Sequence, residues 1–244
     1  MAFQELGVVA AINRFPVKSM HAESLRSAAL GWTGLLGDRQ YAFVRGTNRS
    51  RFPWLTGRDI SELVRYRPYF ADPAAPTAEP PRVTTPDGVD HAITDPALVA
   101  HLAALAGEPV HLMHLGKGCQ DSMPVSVVAT ETLRRVESAH GAPVGLDRFR
   151  INLIIEADPG HGRETDWMGG VLRFGEAANA PRLMLAGGVP RCAMVTIDPV
   201  SATRDPSILR TVAQDFANEI GIYGTAGRLG VIVAGDRVWL DRGV

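Results

Sequence analysis

Short apolar runs separated by glycine and proline form the main pattern along the chain. The first 70 residues contain the runs LGVVAAINRF, SLRSAAL, QYAFVRG and ELVRYRPYF. Beyond residue 119 the chain continues with PVSVVA, INLIIEA, VLRFG, RLMLAG, AMVTID, LGVIVAG and RVWL. Runs of this length, bounded by turn residues, are typical of short strands. Strands and helices do not alternate regularly, so the pattern favours a β-barrel architecture over a doubly wound α/β fold.

Three segments show helical spacing instead. Residues 95–107 and 205–221 each begin with aspartate followed by proline and end with glycine, which is the usual order of helix start and stop signals. The segment TETLRRVESAHG predicts a third helix, capped by Thr130 and stopped at Gly141. We therefore predict a mainly β fold with a few helices, in which a β-barrel domain packs on a strand-rich N-terminal domain.

A proline-rich segment separates the first strands from the first helix. Residues 72–81 hold four prolines, which remove backbone donors and fix φ, so this segment is a stiff loop or linker. A second series of strands starts near Cys119. We predict an N-terminal domain over residues 1–118 and a second domain over residues 119–244.

The nearly equal numbers of basic and acidic residues limit which kinds of binding partner the sequence predicts. The 244 residues include 25 basic and 26 acidic side chains, so the net charge of −1 predicts no general affinity for nucleic acid or for acidic membranes. The N-terminal segment has no basic stretch ahead of its apolar run, and no stretch approaches the roughly 18 apolar residues of a membrane span. We expect a cytoplasmic protein that is a monomer or a weak oligomer.

Four segments combine charge, a bend and a rare residue. They are FPVKSM, LLGDRQYAFV, DRFRINLII and GGVPRCAMVTIDP. In the first, Lys18 and Ser19 place a cation beside a hydroxyl, and both could bind one anion. In the second, Asp38 and Arg39 lie in a glycine turn that leads into a strand. Lysine is scarce in this chain, which makes Lys18 the most informative of these cations.

The third segment carries three polar side chains in alternation with apolar ones. Arg148, Arg150 and Asn152 precede a predicted strand, so we expect them to share one face of it. Ordinary surface ion pairs are the alternative for either arginine.

The fourth segment places Cys192 directly after Arg191. A neighbouring arginine favours the thiolate, which is both a nucleophile and a soft metal ligand. The alternative is a small buried side chain, the commonest fate of a free cysteine. Cys119 is the other cysteine, and two are too few for a disulfide framework or a four-thiolate metal site.

Taken together and in order, these segments resemble the MOSC family, in which a molybdenum-cofactor sulfurase C-terminal-type domain follows an N-terminal β-barrel domain. FPVKSM is similar to the family's aromatic-Pro-x-Lys-Ser element, and LGDRQYAFV to its Gly-Asp-Arg turn. The segments QDSMPVSVVATETL, DRFRINLII, DWMGGVLRFG, RCAMVTIDP and GDRVWL follow in the family's sequence. The resemblance covers nearly the whole chain.

Within the family, the sequence most resembles the amidoxime-reducing proteins and the bacterial reducers of N-hydroxylated bases. The resemblance implies a molybdopterin cofactor with Cys192 as its molybdenum ligand and as the catalytic residue. It also implies a set of residues that bind the pterin and its phosphate: Lys18, Ser19, Arg39, Arg150, Asn152, Arg191 and Tyr223. Pyridoxal phosphate binding is associated with the family as a whole and is assigned to no residue here.

The implied reaction is the reduction of a small N-hydroxylated compound (an amidoxime, a hydroxylamine or an N-oxygenated base) by oxygen-atom transfer. Some relatives carry a C-terminal [2Fe–2S] domain, for which this chain has no cysteines. We therefore expect electrons from a separate ferredoxin- or cytochrome-type protein. The sequence also departs from the family in reading Arg150-Ile151-Asn152 where an Arg-Pro-Asn element is usual.

Two other functions remain open at this point. Cys192 could carry a persulfide in sulfur transfer, because the same thiolate would serve as nucleophile. The protein could also carry the molybdenum cofactor without turnover.

Overall fold

A computed structural model describes residues 3–158 and 160–242. Its strands in this part of the chain are β1 Gln4–Arg14, β2 Glu23–Leu25, β3 Ser27–Gly31, β4 Gly34–Leu35, β5 Tyr41–Arg45, β6 Arg67–Tyr69, β7 Arg82–Thr84, β8 Asp90–Ala92, β9 Val110–His114, β10 Val125–Ala129, β11 Leu153–Ala157, β12 Val171–Phe174, β13 Arg182–Pro190, β14 Glu219–Arg228, β15 Gly230–Val233 and β16 Arg237–Asp241. The helices are α1 Pro96–Ala106, α2 Thr130–His140 and α3 Pro206–Asp215.

Seven strands close into a barrel. They follow the order β11-β10-β14-β13-β12-β16-β1, and β1 pairs again with β11 to complete the ring. All of these pairs are antiparallel except β10 with β11. Closure removes the free edges that an open sheet would present.

β1 closes the barrel because its sequence suits two neighbours at once. Leu6, Val9 and Ile12 are fully or almost fully buried in the barrel core, while Val8, Ala10 and Ala11 between them are less buried. Gly7 has φ +146°, and a Cβ there would lie 2.0 Å from the carbonyl oxygen of Glu156. Only glycine therefore allows the close approach of β1 to β11, and the register of β1 against β16 shifts at the same point.

A second hydrophobic core forms from residues between Val17 and Val110. It contains Phe43, Tyr66 and Leu98, and it lies under the β5-β9 pair, the β6-β7-β8 sheet and helix α1. The predicted proline-rich loop connects two of these strands without regular structure. A third core packs α2 and α3 against the outside of the barrel.

The helix signals are confirmed in part. The Asp95 side chain caps α1, which ends at Gly107 in the left-handed conformation, and Asp205 caps α3 in the same way. Helix α2 ends as predicted at Gly141, but Ala129 occupies its N-cap and Thr130 is already helical, so the predicted Thr130 cap is wrong.

Four other sequence-based expectations are wrong. The run ELVRYRPYF begins as a 3-10 turn over Ser61–Arg65 and becomes a strand only at Arg67. Helix α3 stops at Asp215, because Ala217 and Asn218 have positive φ, and β14 starts at Glu219 inside the predicted helix. AMVTID forms a 3-10 turn over Ala193–Thr196, in which the Thr196 hydroxyl donates to the Ala193 carbonyl.

Residues 148–152 do not form a strand entry. Leu146–Phe149 is a 3-10 turn, Arg150 is left-handed, and the strand begins only at Leu153. Alternation on a pleat therefore does not explain how these side chains reach a common site.

The fold class is confirmed: the protein is mainly β, with a closed barrel and few helices. The division at residues 118 and 119 stays a prediction, and β1 from the first part belongs to the barrel. Among the described residues, no helix is both long and apolar enough to cross a membrane.

Candidate functional site

A cavity of about 550 Å³ opens at one end of the barrel. Its wall combines residues from β10, β13 and β14 with the segments around residues 18–19, 39, 56–58, 120–123 and 148–152. The predicted site residues all line it: Lys18, Ser19, Arg39, Arg150, Asn152, Arg191, Cys192 and Tyr223. Their assignment to a cofactor stays a prediction, while their convergence is a property of the fold.

Backbone strain concentrates at this cavity. Of the six non-glycine residues with positive φ in the described part of the chain, Ser19, Arg39 and Arg150 line it, with φ of 66°, 49° and 53°. This conformation costs a non-glycine residue roughly 1–2 kcal/mol. The surrounding contacts hold three such residues at one site, a pattern typical of functional sites.

Phe15 is a platform for two of these arginines. The guanidinium carbons of Arg39 and Arg150 lie 4.5 Å and 4.4 Å from its ring centroid. Burial, and secondarily the charge of Arg39, lowers the pKa of Arg150 to about 9. Arg150 donates to the carbonyl of Met20 at 2.6 Å, but its buried Nη2 has no partner in the described part of the chain.

Lys18 is buried beside them and faces a carboxylate. Its Nζ donates to the Cys119 carbonyl at 2.7 Å and to Asp121 Oδ1 at 2.8 Å. Burial lowers the pKa of Lys18, and the charges of Arg39 and Arg150 lower it further, whereas Asp121 opposes the shift. Cys119 itself is buried, which raises the pKa of its thiol to about 11, so it acts through its backbone.

Asn152 connects the cation cluster to the barrel. Its Oδ1 accepts from the amide and hydroxyl of Ser126 and from Arg39, and its Nδ2 donates to the carbonyl of Asn13 and to Asp38 Oδ1. Its side chain is almost fully buried, and these bonds use both ends of the amide. Asn152 therefore positions Arg39 and Asp38 rather than offering free donors to the cavity.

Cys192 lies between the end of β13 and the 3-10 turn, and it is exposed to the cavity rather than buried. This excludes the alternative of a small buried side chain. The neighbouring guanidinium of Arg191 donates to the carbonyls of Ile220 and Phe149, and burial lowers its pKa to about 10. Arg191 thus holds three backbone segments together beside the thiol.

Three hydroxyls of the cavity wall remain available. Within the described residues, the side chains of Ser19, Ser122 and Tyr223 have no hydrogen-bond partner. Burial raises the pKa of Tyr223, so its hydroxyl stays protonated at neutral pH and can donate.

Sequence reasoning missed several residues of the wall. Asp121 is the carboxylate that pairs with Lys18, and Thr56 and Arg58 come from a segment without a strong local signal. Met194 lies in the segment that carries Cys192, where it was not singled out. Arg148 also lines the cavity, and it forms an ion pair with Asp198 at 2.6 Å, but its side chain is only 12% exposed, so the pair is partly buried rather than at the surface.

These features define a class: a closed β-barrel protein with a cationic cavity and an accessible cysteine at its wall. The family model for the MOSC domain matches residues 111–239, which is more than half of the chain. The chain belongs to the MOSC domain family, and the resemblance drawn from its motifs is confirmed.

The overall fold is similar to a solved structure of low sequence identity. The crystal structure of the YuaD protein from Bacillus subtilis shares 11% identity, with 98% of each chain covered and a TM-score of 0.52. YiiM from Geobacillus stearothermophilus shares 16% identity over 48% of this chain and 54% of its own, with a TM-score of 0.37. None of the curated proteins matches the chain significantly.

Proposed function

We propose that the protein is a molybdenum-cofactor-dependent oxidoreductase that reduces N-hydroxylated compounds. The observation that carries the proposal is the convergence of one exposed thiol, Cys192, with the Lys18, Arg39 and Arg150 cations in a single cavity. Membership of the MOSC family supports the choice of cofactor.

The donor set fits a cofactor that combines an anionic group with a metal. The buried Nη2 of Arg150 lacks a partner in the described part of the chain, and the Ser19 hydroxyl is free. A phosphate would satisfy such donors through charge-assisted hydrogen bonds. Cys192 would provide one thiolate ligand, which suffices for a metal whose other ligands come from the pterin.

When bound, the cofactor supplies the two-electron oxygen-atom transfer chemistry. Lys18, Arg39 and Arg150 would hold its anionic end, and Arg191 keeps the backbone around Cys192 rigid through its three carbonyl bonds. The Tyr223 hydroxyl would donate a hydrogen bond towards the reacting group. Overall, the N-hydroxylated substrate takes up two electrons and two protons and yields an amine and water.

The electrons would come from a separate ferredoxin- or cytochrome-type protein. Reduction would proceed in the cytoplasm with a small-molecule substrate, without nucleic acid or membrane as partner.

The test compares wild type with Cys192→Ala, both produced in a host that makes the cofactor. We expect near-stoichiometric molybdenum and pterin in the wild type, together with benzamidoxime reduction when a chemical reductant is supplied. Cys192→Ala should lose turnover while keeping the fold, as judged by circular dichroism.

Other outcomes identify the other two functions. Cofactor content without turnover under any reductant would favour a carrier. If the wild-type protein contains neither molybdenum nor pterin and forms a persulfide at Cys192, the proposal is overturned in favour of sulfur transfer.

A further inference from the structure

One cation of the cavity wall differs from the others in having no internal acceptor. Lys18, Arg39, Arg148, Arg150 and Arg191 each donate to a carbonyl or a carboxylate of the chain. Arg58 also lines the cavity, yet across residues 3–158 and 160–242 its guanidinium has no hydrogen bond or ion pair.

The backbone that carries Arg58 is held firmly. The amide and hydroxyl of Thr56 donate to Asp59 Oδ2 at 2.9 Å and 2.8 Å, which closes a tight turn. Arg204 Nη2 donates to the carbonyls of Gly57 and Arg58, both at 2.9 Å. Such bonds fix the position of the Arg58 backbone while leaving its side chain free.

The same turn lies against the segment that carries the thiol. A Cβ at Gly57 would lie 3.0 Å from the terminal Cε and Sδ of Met194, two residues beyond Cys192. Arg58 and Cys192 therefore come from adjoining walls of one cavity. Phe52, 47% exposed, and Met194 add an apolar surface to this part of the wall.

We propose that Arg58 is a specificity-determining residue that selects substrates bearing a carboxylate or similar anionic group on an apolar body. This inference rests on the proposed function and deepens it by naming the substrate class. The inner cations are paired with groups of the chain, and their one buried guanidinium nitrogen without a partner in the described residues, Nη2 of Arg150, would bind the anionic end of the cofactor. An incoming substrate anion therefore finds a free guanidinium at Arg58. A guanidinium bound to a carboxylate through two hydrogen bonds also fixes the orientation of the substrate.

The experiment uses the full-length holoprotein and two probes with the same reacting group, benzamidoxime and para-carboxybenzamidoxime. We expect wild type to prefer the carboxylated probe by about tenfold in kcat/KM, mainly through KM. Arg58→Gln should bring the ratio close to one, and Arg58→Lys should restore part of it. Arg49→Gln is the matched control, because it removes an exposed arginine that does not line the cavity, and it should leave the ratio unchanged.

Equilibrium binding of both probes, measured by calorimetry on the resting protein, gives a readout independent of turnover. Arg58-dependent binding of the carboxylated probe without any turnover would support the selectivity and overturn the proposed reductase. If wild type and Arg58→Gln show the same preference between the two probes, in turnover or in binding, the selectivity assigned to Arg58 is overturned while the proposed reductase function stands. Absence of both binding and turnover of the carboxylated probe would also overturn the selectivity. Loss of molybdenum from Arg58→Gln would overturn it too, because Arg58 would then bind the cofactor rather than the substrate.

Discussion

At the scale of single residues, the cavity is defined by conformations that disfavour folding. Ser19, Arg39 and Arg150 all occupy the left-handed region, where glycine would be comfortable. The side chains are present despite this cost, and two of them belong to a cluster of like charges around Phe15. These three residues therefore lower the stability of the fold, and in return their side chains line one cavity.

Ser19→Gly should therefore stabilise the protein. Glycine removes the cost of the left-handed conformation, but it also has greater entropy in the unfolded chain. The free energy of unfolding should therefore rise by about 0.5–1 kcal/mol. Urea unfolding measures this gain. Ala217→Gly is the control, since Ala217 has φ 54°, is exposed and does not line the cavity, and it should show a similar gain.

Only Ser19→Gly should weaken the binding of inorganic phosphate, because it removes a free hydroxyl from the cavity. A lower stability of Ser19→Gly than of wild type, with Ala217→Gly more stable than wild type, would show that the Ser19 side chain makes a net stabilising contribution.

Arg150 gives a prediction for pH. Its pKa is lowered to about 9 in the folded protein, so the unfolded chain binds more protons between pH 9 and the ordinary arginine range, and stability rises with pH in that window. Below pH 9 the cost of the buried charge is present in full. Arg150→Gln removes this cost and should be more stable than wild type at pH 7 by on the order of 1 kcal/mol.

This advantage should shrink when unfolding is measured at pH 10 instead of pH 7. An Arg150→Gln variant less stable than wild type at both values would mean that the contacts with Phe15 and Met20 outweigh the cost of burying the charge.

At the scale of elements, one buried carboxylate joins three of them. Glu164 lies in a 3-10 turn, Glu164–Trp167, and is fully buried. Its oxygens accept from the amide of Gly221 at 2.8 Å, the amide of Ala129 at 3.3 Å and the hydroxyl of Thr132. It thus ties β10 and α2 to the strand that carries Tyr223.

Glu164→Gln should destabilise the protein by about 2 kcal/mol, because in either orientation the new amide would point its NH2 donor at a backbone amide, that of Gly221 or that of Ala129. Thermal and urea unfolding measure the loss. Glu131→Gln on the exposed face of α2 is the control and should change stability by less than about 0.5 kcal/mol, since its pairs with Arg134 and Arg135 are at the surface. Equal losses in the two variants would contradict the role given to Glu164.

The elements also show where sequence patterns sufficed. β1, β10 and β11 were predictable because their apolar runs are bounded by turn residues, and α1 because aspartate, proline and glycine mark its ends. β14 was missed because its residues continue the pattern of α3. Asn218 is a residue type that adopts positive φ comparatively often, but the positive φ of Ala217 is not visible in its residue type. The segment after Cys192 reads as a strand in sequence but forms a 3-10 turn over Ala193–Thr196, so its residue types alone do not determine its conformation.

Some residues of the candidate site were predictable from the sequence and others were not. Lys18, Arg39 and Cys192 were found from their residue types and from the order of their motifs. Asp121 and Arg58 were missed, because their significance depends on which partner each side chain meets across the fold. Asp121 meets Lys18 over a separation of 103 positions, while Arg58 meets none in the described chain.

At the scale of the whole molecule, the first strand of the chain belongs to the barrel, and the residues of the N-terminal core follow directly after it. β1 supplies Leu6, Val9 and Ile12 to the barrel, and residues from 17 onward build the second core. The cavity takes Lys18 and Arg58 from that second part and Cys192 and Tyr223 from the barrel. Both parts are therefore needed to complete it.

A fragment of residues 119–244 should accordingly fail to fold cooperatively. Without β1, the edges of β11 and β16 stay open, and the core loses three apolar side chains worth about 2 kcal/mol each, a large share of the roughly 5–15 kcal/mol that stabilises a domain. A permuted control, in which a short glycine-serine linker joins residues 119–242 to residues 3–36, restores β1. Gln4 is paired with Leu240, so this connection is short, and the control should regain a sigmoidal urea transition. Cooperative unfolding of the simple fragment would instead establish residues 119–244 as an independent domain and show that β1 is dispensable to the barrel.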